Sequence, residues 1–376
     1  MAEARTTTSS SLGLASRTAD HPGLASIADI DTPAVVVDLD VAEANIAKLQ
    51  CYLSGHGLAN RPHIKTHKLP LLAHKQVRAG AAGITVQTLG EAEVMAAAGL
   101  TDILITYNLI GEDKTRRLAG IARMVPNLRV ALDNELALHT VRQAGDDADR
   151  TIGVLVEFES GKRRQGVMEP EQALALAKKV RKSNFVEFVG LMTYPCGPEA
   201  ASFIARAKEL FTAAGVPLPV ISAGGTPNMW RAHEVAGLTE YRAGTSIYHD
   251  RRSVGLGSAT FDECALHVHV RVVSRPEFDR AVIDAGSKVL SSDVVPASIG
   301  PGYGHVLEFP QAVITELSEE HGVLDFSACA DRPALGDRLR VVPNHVCPVS
   351  NLVDEVVLHR RGVLAAVTPV AARGKR

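Results

Sequence analysis

The run Arg61-Pro62-His63-Ile64-Lys65-Thr66-His67-Lys68 gathers five basic side chains into eight residues at the end of a short β-like stretch. Taken as a strand over 61–65, its alternation sends His63, Lys65 and His67 to one face. A cation cluster there would depress the lysine pKa and leave a neutral amine able to form an imine. A solvated basic turn is the alternative. Two further segments invite an anion: Ile221-Ser222-Ala223-Gly224-Gly225-Thr226-Pro227-Asn228 and Arg242-Ala243-Gly244-Thr245-Ser246. Glycine lets backbone N–H groups approach a phosphate closely, and a following helix adds the positive end of its dipole. A Gly-Gly pair alone is an ordinary tight turn.

The elements around these residues decide between the readings. From Pro33 onward, short β-branched runs alternate with Ala/Leu/Lys/Glu-rich stretches at helical period, which predicts βα units and parallel strands. After an opening strand over 35–39, eight candidates follow at 61–65, 84–88, 103–107, 128–133, 152–157, 188–194, 219–223 and 241–245. Amphipathic helices are expected between them, for example over 41–53, 90–98 and 171–180. Eight such repeats predict a (β/α)8 TIM-type barrel over 27–255. Beyond about Gly255, alternating runs at 265–273, 280–284, 311–316, 338–342 and 355–360, broken by Pro301-Gly302 and His321-Gly322, predict a smaller antiparallel β domain over 256–376. In the barrel, Lys65 ends the first strand and the glycine turns follow strands seven and eight. That combination describes a phosphorylated carbonyl cofactor, held by its phosphate and bonded to Lys65.

Asp31-Thr32-Pro33-Ala34-Val35-Val36-Val37-Asp38-Leu39-Asp40 and the Lys65 run resemble the D-threonine aldolase and D-serine dehydratase family of pyridoxal-phosphate enzymes, which have the alanine-racemase-like fold (fold type III). Further matches are Gln87 with Glu91, Gly161 to Val167 carrying Arg164, Gly224-Gly225-Thr226, Ile283-Asp284-Ala285-Gly286-Ser287-Lys288, and Asn344-His345-Val346-Cys347-Pro348. The resemblance covers essentially everything after the first 26 residues. It implies a Schiff base between pyridoxal phosphate and Lys65, the phosphate at Gly224, Gly225, Thr226 and Ser246, and Gln87, Arg164 and Tyr194 near the ring. It also implies a head-to-tail homodimer, whose β domain shares its sheet with the opening strand. Arg164 has a bland alternative, a surface charge in Lys162-Arg163-Arg164, and Tyr194 another, a strand-end core residue.

His345 and Cys347 stand two apart on an expected strand, so both side chains leave one face and can grip one cation. In family terms they are the divalent-metal pair beside the cofactor (Zn, Mn or Mg), and an imidazole with a thiolate favours Zn2+. The family's aldolases typically pair His with Asp, and the His-Cys pair is familiar from the dehydratases. Related aldolases also carry a His after Tyr194, where this chain has Pro195. The resemblance therefore implies a D-3-hydroxy amino acid substrate and retro-aldol cleavage to glycine and an aldehyde. A dehydratase giving a 2-oxo acid and ammonia is the alternative, followed by a racemase and a non-catalytic cofactor carrier.

Composition is compatible with a small-molecule enzyme. With 40 Lys+Arg against 42 Asp+Glu the net charge is −2, which excludes a basic nucleic-acid footprint. The 46% hydrophobic and 22% charged residues support a large core rather than general disorder. No apolar run is long enough to span a bilayer. The five cysteines, scattered without a CxxC, argue for a reducing cytoplasm rather than a disulfide framework. Residues 1–26 read as a disordered tail. Arg5 and Arg17 there suit a transit peptide, whereas Glu3, Asp20, Gly13, Pro22 and Gly23 oppose one.

Overall fold

The computed structural model describes residues 26–376, so the expected tail lies, up to residue 25, outside the described residues. After β1 (Ala34–Asp38), eight parallel strands follow: β2 (Ala59–Asn60), β3 (Ile84–Val86), β4 (Asp102–Ile105), β5 (Asn127–Leu132), β6 (Ile152–Phe158), β7 (Val186–Thr193), β8 (Val220–Gly224) and β9 (Glu240–Arg242). They lie in the order β2-β9-β8-β7-β6-β5-β4-β3. Main-chain bonds from Ala82 N to Asn60 O and from Thr85 N to Pro62 O, both 2.8 Å, with a parallel bridge between His63 and Thr85, close β3 back onto the β2 segment. The result is an eight-stranded barrel.

Each strand has one side chain in two facing the helices. Ile221 and Ala223 of β8, with Tyr241 of β9, belong to the large core between sheet and helices. The helix Pro170–Arg181 meets that core with Pro170, Ala173, Leu176, Ala177 and Val180, spaced three or four apart. Full burial of each Leu or Val on such a face is worth roughly 1.5–3 kcal/mol. Its start is fixed by a capping box between Glu169 and Gln172. The intervening strand positions point into the barrel. Leu104, Ala131, Leu155 and Met192 fill one part of that interior.

Eight strands make the second domain: β10 (Leu266–Glu277), β11 (Arg280–Ile283), β12 (Gly304–Val306), β13 (Val313–Leu317), β14 (Gly322–Asp325), β15 (Arg338–Pro343), β16 (Glu355–Arg360) and β17 (Val363–Pro369). β1 inserts between β10 and β16, antiparallel to the first (Val36 opposite His267) and parallel to the second (Val36 opposite Val357). The helix Leu39–Gly55 leaves β1 with Asp38 Oδ1 accepting from Asp40 N (2.9 Å) and Val41 N (3.2 Å). Its first half (Leu39, Ala42, Ile46) enters the β-domain core and its second half (Leu49, Leu53) the barrel core.

Two expectations need correction. The strand over 61–65 pairs along β9 only as far as His63, whose N–H donates to Ala243 O (3.0 Å), and the chain then turns into the 3-10 helix Ile64–Thr66. The His345/Cys347 segment is not a strand: His345 caps the helix Val346–Leu352. The sequence reading also passed over β12 and β14, only three and four residues long and each beginning at a glycine, and β17, which pairs with β16. Among the described residues no helix is long and apolar enough to cross a membrane, and all five cysteines are free.

Candidate active site

Where the C-terminal ends of the barrel strands meet the β domain lies a cavity of about 290 Å3. Eight of the residues singled out from sequence line it: Lys65, Gln87, Arg164, Tyr194, Gly225, Thr226, His345 and Cys347. Gly224 and Ser246 do not; each sits one residue behind the lining, which at the second glycine turn consists of Gly244 and Thr245. His67 also turns away. Its buried ring faces Gln76 Oε1 (3.2 Å) and accepts from Leu69 N (3.0 Å).

Lys65 owes its position to the 3-10 turn, whose preceding His63 accepts the Lys65 N–H at Nδ1 (3.4 Å). Burial is the main cause that pushes the ammonium pKa down, and the guanidiniums of Arg164 and Arg242 act in the same direction against Cys347 and Glu91. The expected cause was a cluster of cationic histidines. Instead, burial holds both His63 and His67 uncharged, His67 with its pKa pushed down to about 4. Both cations stand over the ring of Tyr194, Lys65 Nζ 6.0 Å and the Arg164 guanidinium carbon 5.4 Å from its centroid. Arg164 is thus a cavity residue, with its guanidinium 3.8 Å from the buried Glu157.

Gln87 is clamped from three directions. Its Nε2 donates to Thr106 O (2.8 Å), its Oε1 faces His63 Nε2 (3.3 Å), and its N–H donates to Glu91 Oε2 (2.7 Å). Glu91 Oε1 accepts from buried Lys68 Nζ at 2.6 Å. Below Lys65 the barrel interior holds a polar network. Arg61 pairs with Glu240 (2.7 Å) and Asp102, Glu240 accepts from the Ser222 hydroxyl (2.6 Å), and Arg242 donates to Ser222 and to Thr193 O (2.8 Å). Buried ions tolerate such a place only when paired.

The two glycine turns leave room for a ligand. Gly225 has φ +122°, and a Cβ there would touch Tyr194 at 3.4 Å; at Gly244 a Cβ would stand 3.1 Å from Thr66 Oγ1 and 3.3 Å from His63 O. Thr226 Oγ1 ties the turns together by accepting from Thr245 N (3.1 Å). A cradle closed by side chains but open at two glycines, next to a lysine, fits a phosphorylated aldehyde.

The opposite wall brings His345 and Cys347 to the same cavity despite their non-strand backbone, close enough for each to shift the other's pKa. Burial works against the charge on both. For His345 the Cys347 thiolate, Asp293 and Asp250 outweigh it and raise the pKa to about 9. For Cys347 the imidazolium, Lys65 and Thr66 outweigh it and lower the thiol pKa. Cys347 Sγ lies 3.2 Å from Thr66 Oγ1. Among the described residues no group of three or more His, Cys, Asp or Glu could close around an ion. Imidazole and thiolate are donor types that suit Zn2+, and the pair would supply two of the three protein ligands that an open zinc site has. Cys196, by contrast, is buried with its thiol pushed up to about 11, an inert core residue.

Sequence reading missed Asp250, Arg252, Asp293 and the barrel pair Glu240/Arg242. Asp250 lines the cavity and accepts from Ser253 N and Oγ (2.7 Å each) and from Val346 N (3.3 Å). Glu240 and Arg242 carried a usable signal: charges alternating with Tyr241 in a strand buried on both faces must point into the barrel and find partners there. At position 195, Pro195 offers only its carbonyl, which accepts from Ser160 Oγ (2.7 Å).

Residues 37–252 match the model of the alanine racemase N-terminal domain, and residues 265–359 match one described as "Putative serine dehydratase domain". The chain is 34% identical to a D-threonine aldolase from Arthrobacter sp., over 93% of this chain and 94% of the relative. It is also 34% identical to D-threo-3-hydroxyaspartate dehydratase from Delftia sp. strain HT23, over 85% and 91%. The solved D-threonine aldolase from Filomicrobium marinum superposes with a TM-score of 0.84 at 29% identity, covering 93% of this chain and 98% of that one. A cysteine-to-alanine variant of a D-threo-3-hydroxyaspartate dehydratase, solved in a metal-free form, superposes with a TM-score of 0.82 at 29% identity, covering 92% of this chain and 98% of that one.

Proposed function

The chain belongs to the alanine-racemase-like family that includes D-threonine aldolase and D-threo-3-hydroxyaspartate dehydratase, and from that premise we propose that it is a pyridoxal-phosphate lyase cleaving D-3-hydroxy amino acids to glycine and an aldehyde. One observation carries the reading: Lys65, both glycine turns and the His345/Cys347 pair line a single cavity. Pyridoxal phosphate bound through Lys65 supplies an electron sink for a bond broken at Cα. Gly225, Thr226, Gly244 and Thr245 would surround its phosphate. His345 and Cys347 would hold a divalent ion, Zn2+ before Mn2+ or Mg2+, and Lewis acidity toward a hydroxyl is what such an ion supplies there.

The remaining roles fall to side chains. Lys162, Arg164 and Arg252 make the cavity mouth cationic and would draw in the substrate carboxylate. Lys65 Nζ, whose ammonium form burial disfavours, is the proton carrier at Cα from the barrel side. Asp250 is the proton acceptor on the other side, where the β-hydroxyl would lie. Gln87, locked by Thr106 and Glu91, is a fixed hydrogen-bonding edge for the cofactor ring. The exposed Tyr107, Ile110, Leu136 and Met168 at the same end of the barrel support a homodimer that covers them.

The dehydratase reading stays in second place because of Cys347, a thiolate donor, and because Pro195 brings no acid or base. Product analysis with D-threonine, D-serine and D-phenylserine, with Zn2+ or Mn2+ and with chelator, separates the two. Glycine plus an aldehyde is expected; a 2-oxo acid plus ammonia would establish the dehydratase. In Lys65→Ala both products and the cofactor's visible absorbance should vanish, and product formed at the wild-type rate would overturn the whole reading.

A further inference from the structure

His345 is gripped at Nδ1 by a carboxylate that no sequence motif marks. Asp293 lies in the loop after the helix Ser287–Leu290, with Oδ2 2.8 Å from His345 Nδ1. The contact is built from both directions. Asn344 Nδ2, one residue before the histidine, donates to Asp293 O and to Gly302 O, both at 2.9 Å. Asp293 N in turn donates to Ser291 Oγ (3.2 Å). The loop is therefore pinned to the 344–345 segment through main chain and side chain together.

An ionised carboxylate only accepts hydrogen bonds, so Nδ1 of His345 must carry a proton. In the neutral ring the lone pair then belongs to Nε2. A ligating histidine commonly donates its second nitrogen to a carboxylate, which fixes ring orientation and raises the basicity of the ligating atom. We propose that Asp293 is the positioning residue of the metal site: it selects the Nδ1–H tautomer of His345 and aims Nε2 at the ion shared with Cys347. The inference rests on the reading that His345 and Cys347 bind a divalent metal. Asp250 supports the same turn differently, through the backbone, by accepting from Val346 N.

A structural hydrogen bond and a metal-orienting one separate cleanly, because the Asp293 side chain is 47% exposed and adds little to folding. The test is chelator competition for Zn2+ on the cofactor-loaded protein, for wild type, Asp293→Ala, Asp293→Glu and Cys347→Ala, with thermal melting of each metal-free form. Asp293→Ala should bind Zn2+ on the order of 10- to 100-fold more weakly. Its metal-free melting and cofactor absorbance should match wild type. Asp293→Glu should recover most of the loss, since a carboxylate is restored. With Co2+ as a spectroscopic probe, Asp293→Ala should keep the thiolate charge-transfer band while its d–d bands shift. Equal Zn2+ affinity in wild type and Asp293→Ala, with binding lost in Cys347→Ala, would overturn the inference and leave the metal site standing. Equal affinity in wild type and Cys347→Ala would overturn both.

Discussion

At Gly244 a single hydrogen atom separates a binding cradle from a filled one. A Cβ there would press on Thr66 Oγ1 and on His63, and both are fixed, the first by Cys347 and the second by Gln87. Gly244→Val should therefore weaken cofactor binding by at least about tenfold, roughly 1.4 kcal/mol. Cofactor titration followed by absorbance reads this directly, and unchanged affinity would show that the phosphate lies elsewhere. Sequence singled out Lys65 and the turn at Gly225 and Thr226 by their combination after the first, seventh and eighth barrel strands, and Gln87, Arg164, His345 and Cys347 through the family resemblance. Asp293 and Asp250 were not legible: an acidic residue in a loop carries no periodicity, and its meaning appears only when a histidine from another segment arrives beside it.

The legible elements were those that repeat. Eight alternations of β-branched and helical texture outline the barrel, and boundary errors stay within a few residues except at 61–65, where His63 caps a turn that the hydrophobic pattern does not register. β10 shows what the pattern hides. Its Leu266, Val268 and Val270 face the β-domain core, while His267 and His269 take the opposite face, beside Arg340 of β15 and His359 of β16. Burial pushes the pKa of both histidines down to about 4 from 6.5, so the folded sheet prefers them neutral. The unfolded chain binds protons first as pH falls. The stabilisation is complete above pH 6.5 and is lost progressively as pH falls from 6.5 to about 4. Each histidine contributes at most about 1.4 kcal/mol per pH unit. Urea unfolding at a series of pH values should show this decline, and His269→Gln should flatten it.

The whole molecule is less divisible than its two-domain sequence suggests. One helix, Leu39–Gly55, supplies side chains to both cores, and the cavity takes its lysine from the barrel and its His/Cys pair from the β domain. Heat should therefore unfold the protein in one transition with matching calorimetric and van't Hoff enthalpies. Two resolved transitions would show that the shared helix does not couple the halves. The Val35-Val36-Val37 run of β1 announces a strand by itself, and the expectation that the β domain receives it does not come from that run.

That strand has a consequence for how the protein is made. Val36 emerges early from the ribosome, yet its neighbours in the sheet are His267 and Val357. A chain synthesised from its N-terminus must carry an unpaired apolar strand until the last part of the polypeptide has been translated, with both strand edges open to other nascent chains. β1 is thus made before every other strand of its sheet and is flanked on both edges only once β16 has followed. Recovery of native protein should depend on translation speed and chaperone supply more steeply than the finished fold's stability would suggest.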